Sequence, residues 1–243
     1  MCCSCRRILE GSRLTINCTV TAEGLRTDFA CLFWSRIRFI TNLLPLVKRA
    51  PALRRVIVVG AGGAEGPIVM DDLSMTKMGF SKPLVLRGHL TSMTTFVLEH
   101  LANTTAPEIG FVHTFPAATA GGIFRGSNFF VRIMAFLLWF SLLIDPTGPE
   151  ESGERHLWMG TSDFFPGRRR DGADGIEWGG EVSEGTEDAK GTGVYTPGAR
   201  QSDIAALPAQ QPALRKMRAE GVREKVWEFV QTEYMRIVGS VGL

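Results

Sequence analysis

The feature that most constrains the fold is a short apolar segment that runs directly into a cluster of glycines. Residues Arg55–Val59 are rich in β-branched side chains, and Gly60, Gly62, Gly63 and Gly66 follow them. Such a segment is typical of a strand of a parallel sheet whose two faces are both covered. It predicts a strand that is buried on both faces and ends in a glycine-rich turn.

A glycine-rich turn after a strand allows two interpretations. In dinucleotide-binding folds the turn brings main-chain amides to a pyrophosphate, and a helix begins directly after it. Here Pro67 and the pair Asp71 and Asp72 interrupt any helical pattern. The sequence therefore favours a tight turn at the end of a strand, with a phosphate site as the alternative.

Apolar residues at steps of three and four predict helices on both sides of this strand. One stripe covers residues 25–47, where Pro45 is expected to bend or end the helix, and a second covers 90–101. Another buried strand is predicted over 109–115. The order helix, strand, helix, strand predicts an α/β fold with a parallel sheet and crossover helices.

Weaker patterns predict the secondary structure of the remaining segments. They predict a half-buried strand at 14–20, a short helix at 150–157 with acidic residues in its first turn, a strand near Val194–Tyr195 inside a loop, and a final helix at 222–237. We expect four segments: an atypical start (1–20), a core (21–162), a loop rich in glycine and acidic residues (163–211) and carboxy-terminal helices (212–243).

Composition excludes several classes of protein. The chain has 243 residues and a formal net charge of +2, which gives no reason to expect a nucleic-acid partner. Its cysteines are all near the start and its four histidines are scattered singly, so we expect reduced thiols and no metal site. No secretory signal follows Met1, and a cytoplasmic protein is expected.

A strongly apolar run occupies residues 133–144. It is too short for a membrane span, which needs about 20 residues. A buried or interfacial helix is the plain interpretation, and a lid over a lipophilic substrate is the alternative. Together with palmitoylation at Cys2, Cys3 and Cys5, the run could also attach the chain to a membrane surface.

Several short segments of the sequence resemble those of one protein family. They are SRIRFITNLLPL (35–46), LRRVIVV (53–59), EGPI (65–68), RGHLTSMTTFVLE (87–99), FVHTFP (111–116) and EESGERHL (150–157). Over residues 21–238 the chain resembles divergent fungal members of the short-chain dehydrogenase/reductase superfamily, which are often found in secondary-metabolite gene clusters.

The resemblance implies a Rossmann-like parallel sheet with flanking helices that binds NAD or NADP. It matches the second half of that fold, so the first strands and the cofactor-binding glycine loop would precede Met1. We therefore expect an amino-terminally shortened, partial sheet. The helices at 25–47 and 87–101 resemble those of the family's dimer interface, which implies a homodimer or a heterodimer with a paralogue.

The family's catalytic set is a Ser and a Tyr with a nearby Lys. The resemblance places Gly60 or Ala61 at the Ser, Pro83 near the Tyr and Arg87 near the Lys. Arg87 is then a candidate for binding phosphate or ribose, and His89 a candidate proton donor. A surface ion pair for Arg87 and a helix-start histidine for His89 are the plainer alternatives.

Pro116 and Ala117 correspond to the family's Pro-Gly turn, whose main chain holds the nicotinamide carboxamide. Together with Gly60 and Ala61 they form the candidate cofactor-binding set. Two functions follow. One is an NADP- or NAD-dependent oxidoreductase acting on a lipophilic polyketide or terpenoid intermediate of fungal secondary metabolism. The other is a non-catalytic protein that binds a hydrophobic metabolite or a full-length paralogue.

Overall fold

The computed structural model describes residues 20–77, 83–116, 148–169, 181–197 and 211–242. The chain divides into two compact units. One consists of Met1–Asn17 and Ala117–Glu154, of which residues 148–154 are described. The other consists of Cys18–Pro116 and Arg155–Leu243.

The described residues contain a sheet of three parallel strands. These are β1 (Arg55–Val59), β2 (Gly110–Thr114) and β3 (Val194–Tyr195), in the order β1-β2-β3. All three strands were predicted within one residue of their observed ends. The parallel sheet with flanking helices confirms the α/β class and is a partial Rossmann-like sheet.

The predicted burial of β1 is wrong. Val59 is 43% exposed, and within β1 only Val58 is buried. The reason is position, because β1 lies at one edge of the described sheet while β2 lies between two strands. Every residue of β2 is buried.

Five helices occur in the described parts of the chain. They are α1 (Thr27–Lys48), α2 (Pro83–His100), α3 (Pro149–Thr161), α4 (Gln211–Ala219) and α5 (Val222–Val238). α1 contains a π-helical turn at Ala30–Trp34, and a second π-helical turn at Leu101–Thr105 follows α2 directly. Acidic residues occupy the first turn of α3, as predicted.

Helix α1 packs one face into the core and leaves another uncovered. Phe33, Ile37 and Leu44 are buried, whereas Phe39 is 69% exposed. By length and apolar composition alone α1 could cross a membrane, a test that a core helix of a soluble protein also passes. The helix continues past Pro45 and ends at Lys48, so Pro45 lies in the last turn of α1.

Helix α2 is the central helix of the core and packs against α5. Its residues 91–99 are all buried, although several are polar. Two of the hydroxyls are satisfied locally, since Thr91 and Thr94 donate to the carbonyls of Arg87 and Leu90, 2.8 and 2.9 Å away. Buried polar groups need such partners, and the remaining ones on α2 find them across the core.

Three predictions lie outside the described residues. They are the greater part of the strand at 14–20, the apolar run at 133–144 and the position of Ala117.

Candidate active site

The carboxyl ends of β1 and β2 meet at one edge of the sheet, which is where open α/β sheets bind their ligands. Residues 60–77, here called the 60–77 loop, leave β1 at this edge. The loop first continues the strand pairing, because the Gly60 amide donates to the Thr114 carbonyl at 2.8 Å. The predicted tight turn is present, and no helix occurs within residues 60–77.

Glycines let this loop approach its neighbours closely. A Cβ on Gly62 would lie 1.9 Å from the carbonyl oxygen of His113, so a side chain at position 62 would clash with the main chain of β2. Gly66 and Gly88 form a second close approach, and a Cβ on Gly88 would lie 3.0 Å from the Gly66 Cα. These glycines fasten the loop to β2 and α2.

Two side chains of α2 hold the main chain of the loop. The Ser92 hydroxyl donates to the Gly66 carbonyl at 2.6 Å and accepts from the Gly66 amide at 3.0 Å. The His89 Nδ1 accepts from the Val69 amide at 3.0 Å, so its Nε2 carries the proton and donates to the Leu73 carbonyl at 3.2 Å.

His89 is thus placed under the loop and not at the open edge. Its ring is fully buried, both nitrogens bind main-chain groups, and burial lowers its pKa. The geometry supports a role in positioning the loop. Proton donation by His89 stays a prediction.

Three buried polar side chains meet beneath the loop. The Thr95 hydroxyl donates to Oε1 of Glu65 at 2.9 Å and lies 3.0 Å from Nδ1 of His113. These residues come from the loop, α2 and β2, and none is more than 4% exposed. We call this group the Glu65–Thr95–His113 cluster.

Burial sets the protonation of the cluster. Desolvation raises the pKa of Glu65, against the opposing hydrogen bonds from main-chain amides and Thr95. Desolvation, followed by the charge of Arg36, lowers the pKa of His113 to about 3. The imidazole is therefore neutral at physiological pH.

Gly60 lies close to the imidazole of His113 and to the guanidinium of Arg36. A Cβ on Gly60 would lie 2.8 Å from Nε2 of His113 and 3.2 Å from Nη1 of Arg36. The imidazole and the guanidinium thus face the same side of Gly60, which is itself half-buried. This is the position that the family resemblance matches to a catalytic hydroxyl.

Arg87 and Pro116, predicted separately, are brought to the same edge. The Arg87 guanidinium carbon lies over the ring of Phe115, 5.0 Å from its centre, and Phe115 directly precedes Pro116. Arg87 is exposed, and the described residues offer it no carboxylate partner. Of the other predicted residues, Ala61 is half-buried in the loop.

The two tyrosines are buried in the core and do not lie at the carboxyl edge of the sheet. Tyr195 donates to the Pro166 carbonyl at 2.7 Å, and Tyr234 donates to the Trp34 carbonyl at 2.8 Å. Neither replaces the family's catalytic Tyr. Among the described residues no group of histidine, cysteine and acidic side chains is arranged to hold a metal ion.

Sequence reasoning missed Glu65, Thr95, His113 and Arg36. A usable signal was present in α2, where Ser92, Thr95 and Glu99 follow at steps of three and four. That spacing places polar groups on one helix face. Their partners come from distant segments, which only the fold identifies.

Fold and site together define an α/β protein with a partial Rossmann-like sheet and a polar, glycine-lined candidate site at its carboxyl edge. No protein-family model matches the chain. Its curated relatives are fungal oxidoreductases.

Three relatives illustrate this. Oxidoreductase AN1596 of Emericella nidulans is 36% identical over 179 residues, which are 72% of this chain and 52% of the relative. The short-chain dehydrogenase/reductase SAT2 of Stachybotrys chartarum is 32% identical over 149 residues, 59% of this chain and 41% of the relative. The NmrA-like family domain-containing oxidoreductase notO of an Aspergillus species is 27% identical over 212 residues, 87% and 58% of the two chains.

The chain spans about half the length of these curated relatives. The three protein names describe the relatives. They support an oxidoreductase family for this chain.

Proposed function

We propose that the protein takes part in an NAD(P)-dependent oxidation or reduction of a lipophilic substrate, a polyketide or terpenoid intermediate of fungal secondary metabolism. The observation that carries the proposal is the meeting of Arg87 and Phe115–Pro116 at the carboxyl edge of a parallel sheet. The oxidoreductase names of the relatives agree with it.

The residues at this edge fit a nucleotide cofactor. Arg87 is an exposed cation without a carboxylate partner among the described residues, and a guanidinium binds phosphate or ribose oxygens well. The ring of Phe115 contacts the Arg87 guanidinium through a cation–π interaction. A bound cofactor would supply or accept the hydride. Arg87 would anchor its phosphate or ribose, and Gly60 and Ala61 would lie beside it at the end of β1.

A lipophilic substrate fits the apolar surface around the edge. Val59 at the end of β1 and Met70 in the 60–77 loop are 43% and 39% exposed. Leu84 and Val85, in the first turn of α2, are 79% and 37% exposed. A contiguous exposed apolar patch rimmed by polar residues is typical of a ligand-binding groove.

A second copy of the chain, or a paralogue, is the proposed protein partner. Leu32, Phe39, Leu43 and Leu46 form an exposed stripe along α1, whereas residues 91–99 of α2 are buried. The stripe supports pairing through α1, one of the two helices expected from the sequence. The proposed location remains the cytoplasm.

The alternative is a protein that binds a hydrophobic metabolite without transforming it. It is favoured by the missing Ser, Tyr and Lys at the matching positions. The two functions differ in whether reduced cofactor is consumed.

The test is a turnover assay of the purified chain with NADPH or NADH and a panel of ketones of rising lipophilicity, with products identified by mass spectrometry. We expect turnover that increases with lipophilicity. Arg87→Ala should lower it about tenfold or more, since a hydrogen bond to a charged group contributes about 1.5–3 kcal/mol. Arg49→Ala, which removes an exposed arginine beyond the end of α1, is the matched control. Saturable binding of the ketones with no turnover would establish the binding function instead.

A further inference from the structure

Residues 67–74 of the loop lie between two points that are fixed to the core. On one side, the Ser92 hydroxyl binds both the amide and the carbonyl of Gly66. On the other side, the Met75 side chain is fully buried, and Nη1 of Arg26 donates to the Met75 carbonyl at 2.8 Å. We call residues 67–74 the flap.

The flap has little hydrophobic anchorage of its own. Its apolar side chains are half-buried or exposed, and Met70 is 39% exposed. Asp72 is buried, but its carboxylate bonds within the loop, where it accepts from the amides of Thr76 and Lys77 at 3.0 and 2.9 Å. A segment with few buried apolar contacts has a low local stability. The flap therefore depends on hydrogen bonds to α2.

His89 on α2 supplies two of these hydrogen bonds, one at each nitrogen of its ring. Nδ1 lies 3.0 Å from the Val69 amide, and Nε2 lies 3.2 Å from the Leu73 carbonyl. The amide can only donate and the carbonyl can only accept, so both bonds form only with a lone pair on Nδ1 and a proton on Nε2. The flap is thus held by one protonation state and one tautomer of His89.

A second proton on the ring breaks this arrangement. An imidazolium has two donors and no acceptor, so Nδ1–H would meet the amide hydrogen of Val69. Rotation of the ring does not help, because neither nitrogen could then accept. His89 is fully buried, so the ring N–H and the amide would both lack an acceptor unless the flap moved into water.

The surroundings of the ring keep it neutral near pH 7. Burial lowers the pKa of His89, against the hydrogen bond to the loop carbonyl and the charge of Asp72, which raise it. On the α1 side the ring of Phe29, whose centre is 6.1 Å away, brings no charge. At the start of α1, Arg26 and Asp28 pair with each other at 2.7 Å.

We propose that His89 is a proton-sensitive clamp, which holds the flap on α2 while it is neutral and releases the flap when it takes up a proton. His89 is then a positioning residue and does not touch substrate. Its consequence for binding rests on the proposed function, because Met70 of the flap belongs to the proposed lipophilic surface. Acid should weaken the binding of a lipophilic substrate.

The sign of the pH dependence follows from the two states of the flap. A released His89 regains the ordinary pKa of 6.5, whereas the clamped ring has a lower pKa. The clamp is therefore at full strength above pH 6.5 and weakens as the pH falls through the lowered pKa. One proton changes the equilibrium by at most about tenfold per pH unit.

The first test measures the clamp without any ligand. Amide hydrogen exchange, followed by NMR in the full chain from pH 8 to about pH 5, gives the protection factor of the Val69 amide. We expect a constant value above pH 6.5 and a fall of up to about tenfold per pH unit below it. The Leu98 amide, in the buried part of α2, should stay better protected than Val69 throughout.

A glutamine at position 89 separates titration from geometry. His89→Gln offers an oxygen to the Val69 amide and an N–H to the Leu73 carbonyl, but it has no proton to gain in this range. Its Val69 protection should not change with pH. His100→Gln is the matched control, because it removes a partly buried histidine at the other end of α2 and should keep the wild-type pH dependence.

Three results of the exchange experiment would overturn the clamp. One is a Val69 protection that stays constant in the wild-type chain, and another is an equal fall in the wild-type chain and His89→Gln. The third is equal protection of Val69 and Leu98 at every pH, which would mean that the flap opens only with the whole domain.

The second test connects the clamp to substrate binding. In the ketone turnover assay, KM should rise toward pH 5 in the wild-type chain, and this rise should be absent in His89→Gln. The same rise in both proteins would overturn the role of the flap in substrate binding. A chain without turnover whose Val69 protection follows the predicted pH dependence would overturn the proposed function and leave the clamp standing.

Discussion

Arg218 holds Glu99 by two parallel hydrogen bonds, each 2.9 Å long. Glu99 is fully buried in α2 and Arg218 lies on α4, so the pair ties the carboxy-terminal helices to the central helix of the core. Arg223 at the start of α5 approaches the same carboxylate at 4.0 Å. The buried charge thus depends on groups more than a hundred residues away.

Removal of Arg218 should therefore destabilise the whole domain. We expect Arg218→Met to lower the free energy of unfolding by about 3 kcal/mol, because it leaves a buried carboxylate without its main partner. Urea denaturation followed by circular dichroism measures this. Lys216→Met, on the exposed side of α4, is the control and should change stability by no more than about 0.5 kcal/mol. Equal effects of the two substitutions would show that the pair contributes little.

The 60–77 loop should not tolerate a methyl group at Gly62. A Cβ there would overlap the His113 carbonyl, so Gly62→Ala should cost about 1–3 kcal/mol of stability as the loop shifts from β2. Gly153→Ala is the contrasting control. That glycine lies in α3 with nothing within 4 Å of a Cβ, and alanine should stabilise the helix by up to about 1 kcal/mol. Thermal unfolding measures the stability of both variants. An unchanged stability of Gly62→Ala would contradict the close approach of Gly62 to the His113 carbonyl.

Periodicity and composition were sufficient to predict most of the fold. β1 was predictable because its β-branched residues run without interruption, and β2 because a short, largely apolar segment ends at Pro116. α5 was predictable because its apolar residues repeat at steps of three and four. The burial of β1 was not predictable, since it depends on which strands lie beside it. The π-helical turn at Ala30–Trp34 was missed for a similar reason, because nothing local distinguishes it from an ordinary helix.

The candidate site was less predictable than the fold. Gly60, Arg87 and Pro116 were named from the resemblance, and the structure places all three at one edge. Glu65, Thr95 and His113 were missed because they lie 30 and 18 residues apart and meet only when the loop, α2 and β2 are assembled.

His113 should make stability depend on pH. Its folded pKa lies near 3, below the value of 6.5 of a free histidine, so the unfolded chain binds the proton more tightly. Its contribution is fully present above pH 6.5 and is lost as the pH falls toward 3, by at most about 1.4 kcal/mol per pH unit. Urea denaturation from pH 3.5 to 7.5 should show a shallower decline for His113→Gln. Parallel curves for the two proteins would contradict the buried neutral imidazole.

The exposed stripe on α1 should govern self-association. Phe39→Glu places a charge in the middle of the stripe, so we expect a smaller mass in analytical ultracentrifugation and higher solubility, with little change in the unfolding temperature. Leu157→Glu, at a similarly exposed leucine on α3, is the matched control and should leave the mass unchanged. A wild-type chain that is monomeric at all concentrations would contradict pairing through α1.

The proposed function requires that the carboxyl edge of this sheet binds a nicotinamide nucleotide. The most direct measurement is isothermal titration of NADPH and NADH into the wild-type chain, Arg87→Ala and Arg49→Ala. We predict saturable one-site binding to the wild-type chain and to Arg49→Ala, weakened about tenfold or more in Arg87→Ala. No binding to the wild-type chain, or equal binding to all three, would contradict the assignment of this edge as the cofactor site.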